Sequence, residues 1–98
     1  MGQALGRYIR NLRQRQSKGL KTVAPEIGVS HAYLSKLENG VQDPSGELLG
    51  RLAHYYDTDP DVFSILEGRI PDDVVAALQE NPEEAARVLR ARFGGTRR

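Results

Sequence analysis

Apolar residues recur every three or four positions along most of the chain, and nowhere do they alternate with polar residues as in a half-buried β-strand. The first such row is Leu5, Ile9 and Leu12. Residues that start and stop helices separate the rows. The pattern predicts an all-α chain of seven helices, over residues 3–16, 21–27, 30–39, 46–56, 60–67, 71–80 and 82–93.

A tight turn that contains a glycine joins the second and third helices. Gly28 is the residue type that a helix favours just past its C-terminus, where φ is often positive. Ser30 is a favourable N-cap, because its hydroxyl can accept a hydrogen bond from a backbone N–H of the first turn. Asn39 and Gly40 then supply a stop signal. The sequence therefore predicts two short helices on either side of this turn.

Three later residues are also placed as N-caps. Ser45 precedes the fourth helix, and Asp59 and Asn81 each precede a proline at the first position of the fifth and seventh helices. The apolar side of the fifth helix is expected to consist of Val62, Phe63, Ile65 and Leu66.

The third helix has an apolar and a polar side when its residues are placed at intervals of roughly 100°. Leu34 and Leu37 fall together, with Tyr33 beside them. The opposite side carries Ala32, Ser35, Lys36 and Asn39, flanked by His31. Such a short, weakly basic face suits a helix that reaches base edges and phosphates in a DNA major groove. An ordinary surface helix with a solvated face shows the same pattern, so periodicity alone leaves both interpretations open.

The stretch around the turn resembles the helix-turn-helix of the XRE family, the superfamily of lambdoid phage repressors and Cro. The matching residues, in unbroken register, are Val23-Ala24, Ile27-Gly28-Val29-Ser30, Tyr33-Leu34-Ser35, Leu37-Glu38-Asn39-Gly40 and Pro44-Ser45. The resemblance extends with lower specificity over residues 3–67. It implies a five-helix repressor-like DNA-binding domain, and the apolar rows beyond it predict a C-terminal two-helix extension, which is similar to the helical tail of a subset of XRE-type regulators. It also implies a transcriptional regulator, most simply a repressor, that binds an inverted-repeat operator as a dimer.

The resemblance, taken together with the helical wheel, suggests which side chains contact DNA. We expect base contacts from His31, Ala32, Ser35 and Lys36. We expect phosphate contacts from Ser30, Tyr33, Asn39, Lys21 and Arg10. A glutamine at the start of the second helix often contacts a phosphate in the family, but Leu20 occupies that position here. Backbone N–H groups at the helix start remain available to bind phosphate.

Two further positions match a structural pair of the family. There, an arginine at the position of Arg13 pairs with a glutamate at the position of Glu38, which tethers the first helix to the third. Removing one partner of a buried pair can cost about 3–5 kcal/mol, whereas an exposed pair contributes about 0–1 kcal/mol. We therefore assign Arg13 to the scaffold and not to DNA contact.

Pro25 conflicts with the second helix. A proline in a helix interior costs about 3 kcal/mol but is tolerated in the first turn. We therefore expect this helix to begin late or in a distorted form, with Thr22 as its cap.

The amino-acid composition limits the kinds of protein that this chain can be. The chain has 98 residues, of which 39% are apolar and 28% charged, which fits one small globular domain with a modest core. The absence of cysteine excludes disulfides and cysteine-ligated metal sites. No apolar run approaches the ~20 residues of a membrane span, and the N-terminus lacks the apolar stretch of a signal peptide. We expect a cytoplasmic protein.

The net charge of +1 hides an asymmetry along the chain. Residues 1–56 carry eight basic and four acidic side chains, a balance of +4. Residues 57–98 carry six and nine, a balance of −3. Only the first part has the sign of a phosphate-binding surface.

The last two predicted helices lie beyond the DNA-binding unit, which we assign to residues 1–68. Apolar rows along residues 69–93 need to be buried, either on the flank of the same domain or against a second subunit. A symmetric dimer suits two half-sites about one helical turn apart. We favour dimerisation through Val74, Leu78, Val88, Leu89 and Phe93. Residues 94–98 are expected to form a flexible tail.

The sequence offers no support for catalysis. His31 and His54 have no metal-binding spacing, and no nucleophile elbow or phosphate-cradling glycine loop is present. We expect no enzyme activity, no metal and no cofactor, with double-stranded DNA and a second copy of the chain as partners. The alternative is a protein-interaction module of the same fold, such as an antitoxin, with a toxin or a co-regulator as its protein partner, because fold alone does not fix function.

Overall fold

The computed structural model describes residues 3–94. Seven α-helices follow one another: α1 (Gln3–Arg15), α2 (Leu20–Ile27), α3 (His31–Glu38), α4 (Gly46–Tyr55), α5 (Pro60–Leu66), α6 (Asp72–Glu80) and α7 (Pro82–Phe93). Residues 3–94 contain no strand, which confirms the all-α class. No helix within this range combines the length and apolarity needed to cross a membrane.

A single core joins the first five helices. Its largest fully buried side chains are Phe63, Leu5, Ile9, Leu34, Leu52 and Val23, so every helix from α1 to α5 contributes at least one. The ring of Tyr8 meets that of Phe63 edge to face, with centroids 5.8 Å apart. Each fully buried large apolar side chain contributes roughly 1.5–3 kcal/mol, so this shared burial holds the short helices together.

The helix starts show the capping that the sequence predicted. The Ser30 hydroxyl accepts from the backbone N–H of Tyr33 at 3.0 Å. The Ser45 hydroxyl accepts from Leu48 at 3.1 Å, and the Asp59 carboxylate from Asp61 at 3.0 Å. Each contact satisfies one of the N–H groups that a helix start leaves without an intrahelical partner.

The prediction for the start of α2 is wrong. The helix begins at Leu20 with Gly19 as N-cap, and Pro25 lies inside it, so Thr22 is not the cap. Pro25 is exposed on the outer side, whereas Val23, Ala24 and Ile27 are buried against the core. Packing of this inner side therefore outweighs the loss of one backbone hydrogen bond at the proline.

Two smaller predictions also fail. Asn81 precedes Pro82 but makes no side-chain cap to α7, and its amide instead donates to the carbonyl of Ala77 at 2.9 Å, which closes α6. Ile65, expected on the inner side of α5, is 48% exposed, because only Phe63 of that helix is fully buried. A short helix covers the core with fewer positions than its apolar pattern suggests.

Helices α6 and α7 pack against each other and bury no residue. Val75 and Leu78 are half-buried, whereas Val74, Leu89 and Phe93 are exposed, at 38%, 43% and 73%. The molecule measures 47 × 25 × 22 Å and its radius of gyration is 15.8 Å. A compact chain of this length has a radius of gyration of roughly 13 Å, so the helix pair projects from the five-helix unit. Of the predicted tail at 94–98, only Gly94 lies within the described residues.

Candidate nucleic-acid interface

The turn between α2 and α3 is held by more than its glycine. Gly28 has φ +92°, and its N–H bonds to the carbonyls of Ala24 and Pro25. Arg51, on α4, donates from Nη1 to the carbonyl of Ile27 at 3.0 Å, which caps α2. A Cβ on Gly28 would lie 2.7 Å from that nitrogen. Gly28 is therefore required by its left-handed backbone, whereas the Arg51 side chain can shift to make room for a Cβ.

The outer face of α3 carries the residues expected to read bases. His31, Ala32 and Lys36 are exposed and Ser35 is half-buried, whereas Leu34 and Leu37 are buried beneath them. Core packing of the inner side thus fixes the direction in which the outer side faces. The structure brings these four outer residues together on one accessible surface.

The single acidic residue of α3 is withdrawn from that surface. The Glu38 side chain is 1% exposed and lies beneath Arg13, whose own side chain is 12% exposed. Arg13 donates from Nε to Oε2 at 2.7 Å and from Nη2 to Oε1 at 2.8 Å, a bidentate pair. The hydrogen bond to Glu38 raises the pKa of Arg13. Arg13 also donates to the carbonyl of Lys18 at 2.9 Å, so it ties α1 to both α3 and the following loop.

Arg10 lies one helical turn before Arg13 and reaches the end of α3. Its Nε donates to Oε1 of Glu38 at 3.4 Å, and its Nη2 donates to the side-chain oxygen of Asn39. Its side chain is 39% exposed. Two residues predicted to contact phosphate, Arg10 and Asn39, are therefore joined to each other.

The remaining predicted phosphate contacts lie in different environments. Lys21 is exposed in the first turn of α2, and Ser30 is exposed at the start of α3. Tyr33 is half-buried, and its ring packs against the core. Leu20, at the position where the family often has glutamine, is also partly buried against the core.

Sequence reasoning missed a second link between helices. The Tyr55 hydroxyl donates to the Glu26 carboxylate, and Lys18 donates to the Tyr55 oxygen at 3.3 Å. The hydrogen bond from Tyr55, reinforced by the charge of Lys18, lowers the pKa of Glu26. Burial raises the pKa of Tyr55, and the bond to Glu26 acts in the same direction. These residues lie on the α1–α2 loop, α2 and α4, and no local signal in the sequence connects them.

The histidine and carboxylate side chains of residues 3–94 form no group of three or more that is placed to hold a metal ion. The ionisable groups with the closest contacts are instead those that tie helices together. The outer face of α3 and the neighbouring Arg10 are therefore the part of the described surface whose binding partner is considered next.

Comparison with known proteins decides the class. Residues 4–64 match the model of the helix-turn-helix domain family. The chain belongs to the helix-turn-helix family. The match covers all of the contacts that hold α2 and α3, and it confirms the resemblance to XRE-type regulators that the sequence showed.

Relatives of this helix-turn-helix chain include regulators from several sources. It is 42% identical over 50 residues to the HTH-type transcriptional regulator SlrR of Bacillus subtilis. The aligned segment makes up 50% of this chain and 33% of SlrR. It is 30% identical over 63 residues to an HTH-type transcriptional regulator of Mycobacterium tuberculosis, 64% of this chain and 45% of the relative. The chain thus spans less than half of these two relatives. It is also 31% identical over 72 residues to the ImmF control region 10 kDa protein of Bacillus phage phi105, 74% of this chain and 80% of that protein.

A solved structure matches more of the helix-turn-helix chain than the family model does. The clp gene regulator ClgR from Corynebacterium glutamicum superposes with a TM-score of 0.59 at 33% identity. The superposition covers 90% of this chain and 88% of the ClgR chain, so it extends past residue 68 into the α6–α7 pair. The helical extension is therefore part of the similarity.

Proposed function

We propose that this protein is a sequence-specific DNA-binding transcriptional regulator that acts as a repressor at an inverted-repeat operator, with α3 as the recognition helix. The observation that carries the proposal is the exposed face of α3. It presents His31, Ala32, Ser35 and Lys36, while the only carboxylate of the helix is buried against Arg13. An exposed acid would repel the phosphates that flank the major groove, and this helix has none.

Positive charge supports the same assignment. Residues 1–56 carry a balance of +4. Lys21 is exposed at the start of α2, where backbone N–H groups also favour an anion. Lys36 is exposed at the last turn of α3 and can donate to guanine O6 and N7, which is worth about 1–3 kcal/mol of base discrimination.

The dimeric part of the proposal rests on α6 and α7. Four of the five apolar side chains that the sequence assigned to a subunit interface are exposed within residues 3–94, namely Val74, Val88, Leu89 and Phe93, and Leu78 is half-buried. A symmetric pair of chains would cover them and would place two copies of α3 for two half-sites. The extension of the ClgR similarity into this region agrees with a conserved arrangement of the helices.

The experiment is a selection of duplexes from a random library with the purified chain, followed by binding measurements on the selected duplex. We expect a palindromic site and an affinity that falls steeply with salt, because each half-site requires neutralisation of phosphates. Lys36→Ala should relax base preference at one or two positions of each half-site. Equal loss on every sequence would make Lys36 a phosphate contact, and no enrichment of any duplex would reject the function.

A further inference from the structure

We propose that the cleft between the start of α1 and the end of α3 is a binding site for a DNA backbone phosphate, in which Arg7 is a direct contact and Arg10 positions Asn39. The cleft has a volume of about 270 Å³ and is lined by Gln3, Arg7, Arg10, Glu38 and Asn39. This assignment rests on the proposed DNA-binding function. It adds a contact outside the helix-turn-helix itself.

The charges around the cleft favour an anion. Glu38 forms its floor, but its side chain is 1% exposed and it is already paired with Arg13. Arg7 is exposed, and no acidic group within residues 3–94 comes within ion-pair distance of it. Arg10 uses one N–H for Glu38 and one for Asn39, which leaves three of its five donors free of protein partners in this range. Three arginines around one carboxylate leave a surplus of two positive charges.

The contact between Arg10 and Asn39 fixes which end of the amide faces outward. A guanidinium only donates hydrogen bonds, so the oxygen of the Asn39 amide must face Arg10. The NH2 group then points away from Arg10 and remains free to donate. Without Arg10 the amide can rotate and present its oxygen, which repels a phosphate. Arg10 is thus a positioning residue as well as a cation.

The walls of the cleft are held by backbone packing. A Cβ on Gly6 would lie 2.4 Å from the carbonyl oxygen of Glu38, so α1 and α3 meet closely at this point. Gly40 has φ +77°, and a Cβ there would lie 3.1 Å from the Cα of Gln3. Neither contact can relax by a side-chain rotation. The backbone of the cleft is therefore in place before a ligand arrives, and the contact with Arg10 holds Asn39, whereas the exposed Arg7 side chain is ordered by the phosphate itself.

The chemistry of the lining selects the kind of ligand. Guanidinium groups present pairs of N–H donors that match phosphate oxygens, and the amide adds one more. None of the five lining residues is apolar, so the cleft offers no pocket for a base or an acyl chain. Because Asn39 is also the C-cap of α3, a phosphate bound here belongs to the strand that flanks the recognition helix.

The first test removes the proposed direct contact. Wild type, Arg7→Gln, Arg7→Lys and Arg87→Gln are compared on a duplex selected by the wild-type chain, over a range of salt concentrations. Arg87→Gln is the matched control, because it removes the same charge from exposed α7. We expect Arg7→Gln to weaken binding several-fold and to reduce the slope of log K against log[salt] by about 0.9 per half-site. Arg7→Lys should keep the slope, and Arg87→Gln should change neither quantity.

The second test isolates the positioning role. Arg10→Met, Asn39→Ala and the double variant are measured on the same duplex, with thermal unfolding as the check on folding. We expect the double variant to lose less affinity than the product of the two single losses, because both remove the same directed donor. In wild type, the side-chain amide resonances of Asn39 should shift on addition of duplex, and in Arg10→Met that shift should disappear. Losses that multiply would show independent contacts and would overturn the positioning role.

Other outcomes separate this proposal from the function on which it rests. If wild type binds no duplex, the DNA-binding function itself fails. If wild type binds and Arg7→Gln retains the full affinity and salt slope, the cleft is not a phosphate site. Addition of inorganic phosphate at constant ionic strength gives the last comparison. Amide shifts of Asn39 with phosphate and none with duplex would make the cleft a site for a free anion and would overturn the proposal.

Discussion

The five-helix unit and the α6–α7 pair carry the same kind of sequence pattern and reach opposite outcomes. Both have apolar residues at helical spacing and proline or acidic residues at helix starts. In the first unit these rows close into one core, from Leu5 to Phe63. In the second, no residue is buried. An apolar row therefore shows that a helix face needs a partner, whereas the partner itself depends on where the chain places that face.

The two phenylalanines of the chain give the sharpest test of this contrast. Phe63 is fully buried and Phe93 is 73% exposed. Phe63→Ala should lower the free energy of unfolding by about 3–5 kcal/mol, because it leaves a cavity in the shared core. Phe93→Ala should change it by less than about 0.5 kcal/mol at concentrations where the chain is monomeric. Urea unfolding of both variants measures the difference, and equal losses at every protein concentration would mean that α7 packs into the core.

Separating the two units should affect DNA binding more than folding. A chain ending at Gly68 should still unfold cooperatively, since α1 to α5 hold their own core. It should sediment as a monomer and bind a full operator about 10²-fold more weakly, because the second half-site is no longer tethered. Leu89→Asp in the intact chain should act in the same way, since a charge would enter the proposed interface.

Two results of the truncation at Gly68 would contradict the assignment of folding to α1–α5 and of dimerisation to α6 and α7. A chain that ends at Gly68 and remains dimeric would move the interface to α5, around Val62–Leu66. A chain that fails to fold would make α6 and α7 part of the stable core. Either result would contradict the division of roles proposed here.

Substitution of Tyr56 measures how completely the core of the five-helix unit excludes water. Its hydroxyl is buried and makes no hydrogen bond within residues 3–94, and burial together with the charge of Glu38 raises its pKa to about 12. Tyr56→Phe should raise the free energy of unfolding by about 1 kcal/mol at neutral pH, because it removes an unsatisfied buried group.

The pH dependence of Tyr56 supplies the control. Because the pKa of Tyr56 is higher in the folded protein than the ordinary value of 10, folding favours the protonated hydroxyl. The associated stability is fully present below pH 10 and is lost as the pH rises toward 12. Wild type should therefore lose stability across this window more steeply than Tyr56→Phe. Denaturant unfolding at a series of pH values measures both slopes, and parallel slopes would show that the hydroxyl is solvated in the folded protein.

The smallest effect is expected at the exposed link of Lys18, Tyr55 and Glu26. Because the pKa of Glu26 is lowered, its contribution to stability is present above pH 4.5, the ordinary value, and is lost as pH falls below it. Tyr55→Phe should move the pKa of Glu26 back toward 4.5, as followed by carboxyl NMR, and should reduce the acid sensitivity of folding. An unchanged Glu26 titration would show that the hydrogen bond does not persist in solution.

Much of the fold follows from local rules. The caps at Ser30, Ser45 and Asp59 and the left-handed Gly28 are local features, and each lies where the sequence placed it. The exceptions depend on longer-range packing. Pro25 is tolerated because the inner side of α2 is buried, and Asn81 closes the preceding helix instead of capping the next one.

The candidate site also combines features that follow from local sequence with features that depend on long-range contacts. The periodicity of α3 determined that His31, Ala32, Ser35 and Lys36 share an outer face, because residues three or four apart lie on one side of a helix. Only the tertiary structure decided which charges remain on that face. Glu38 is separated from Arg13 by 25 residues and from Arg10 by 28, and these contacts withdraw it from the surface.

The sequence by itself determined the helices, the turn and the sign of the charge in the first part of the chain. The tertiary structure decided that Arg51 caps α2, that Arg10 donates a hydrogen bond to Asn39, and that α6 and α7 bury no residue. The physical reason is the range of each interaction. Capping and periodicity act within a few residues, whereas ion pairs and burial depend on which helices the fold brings into contact.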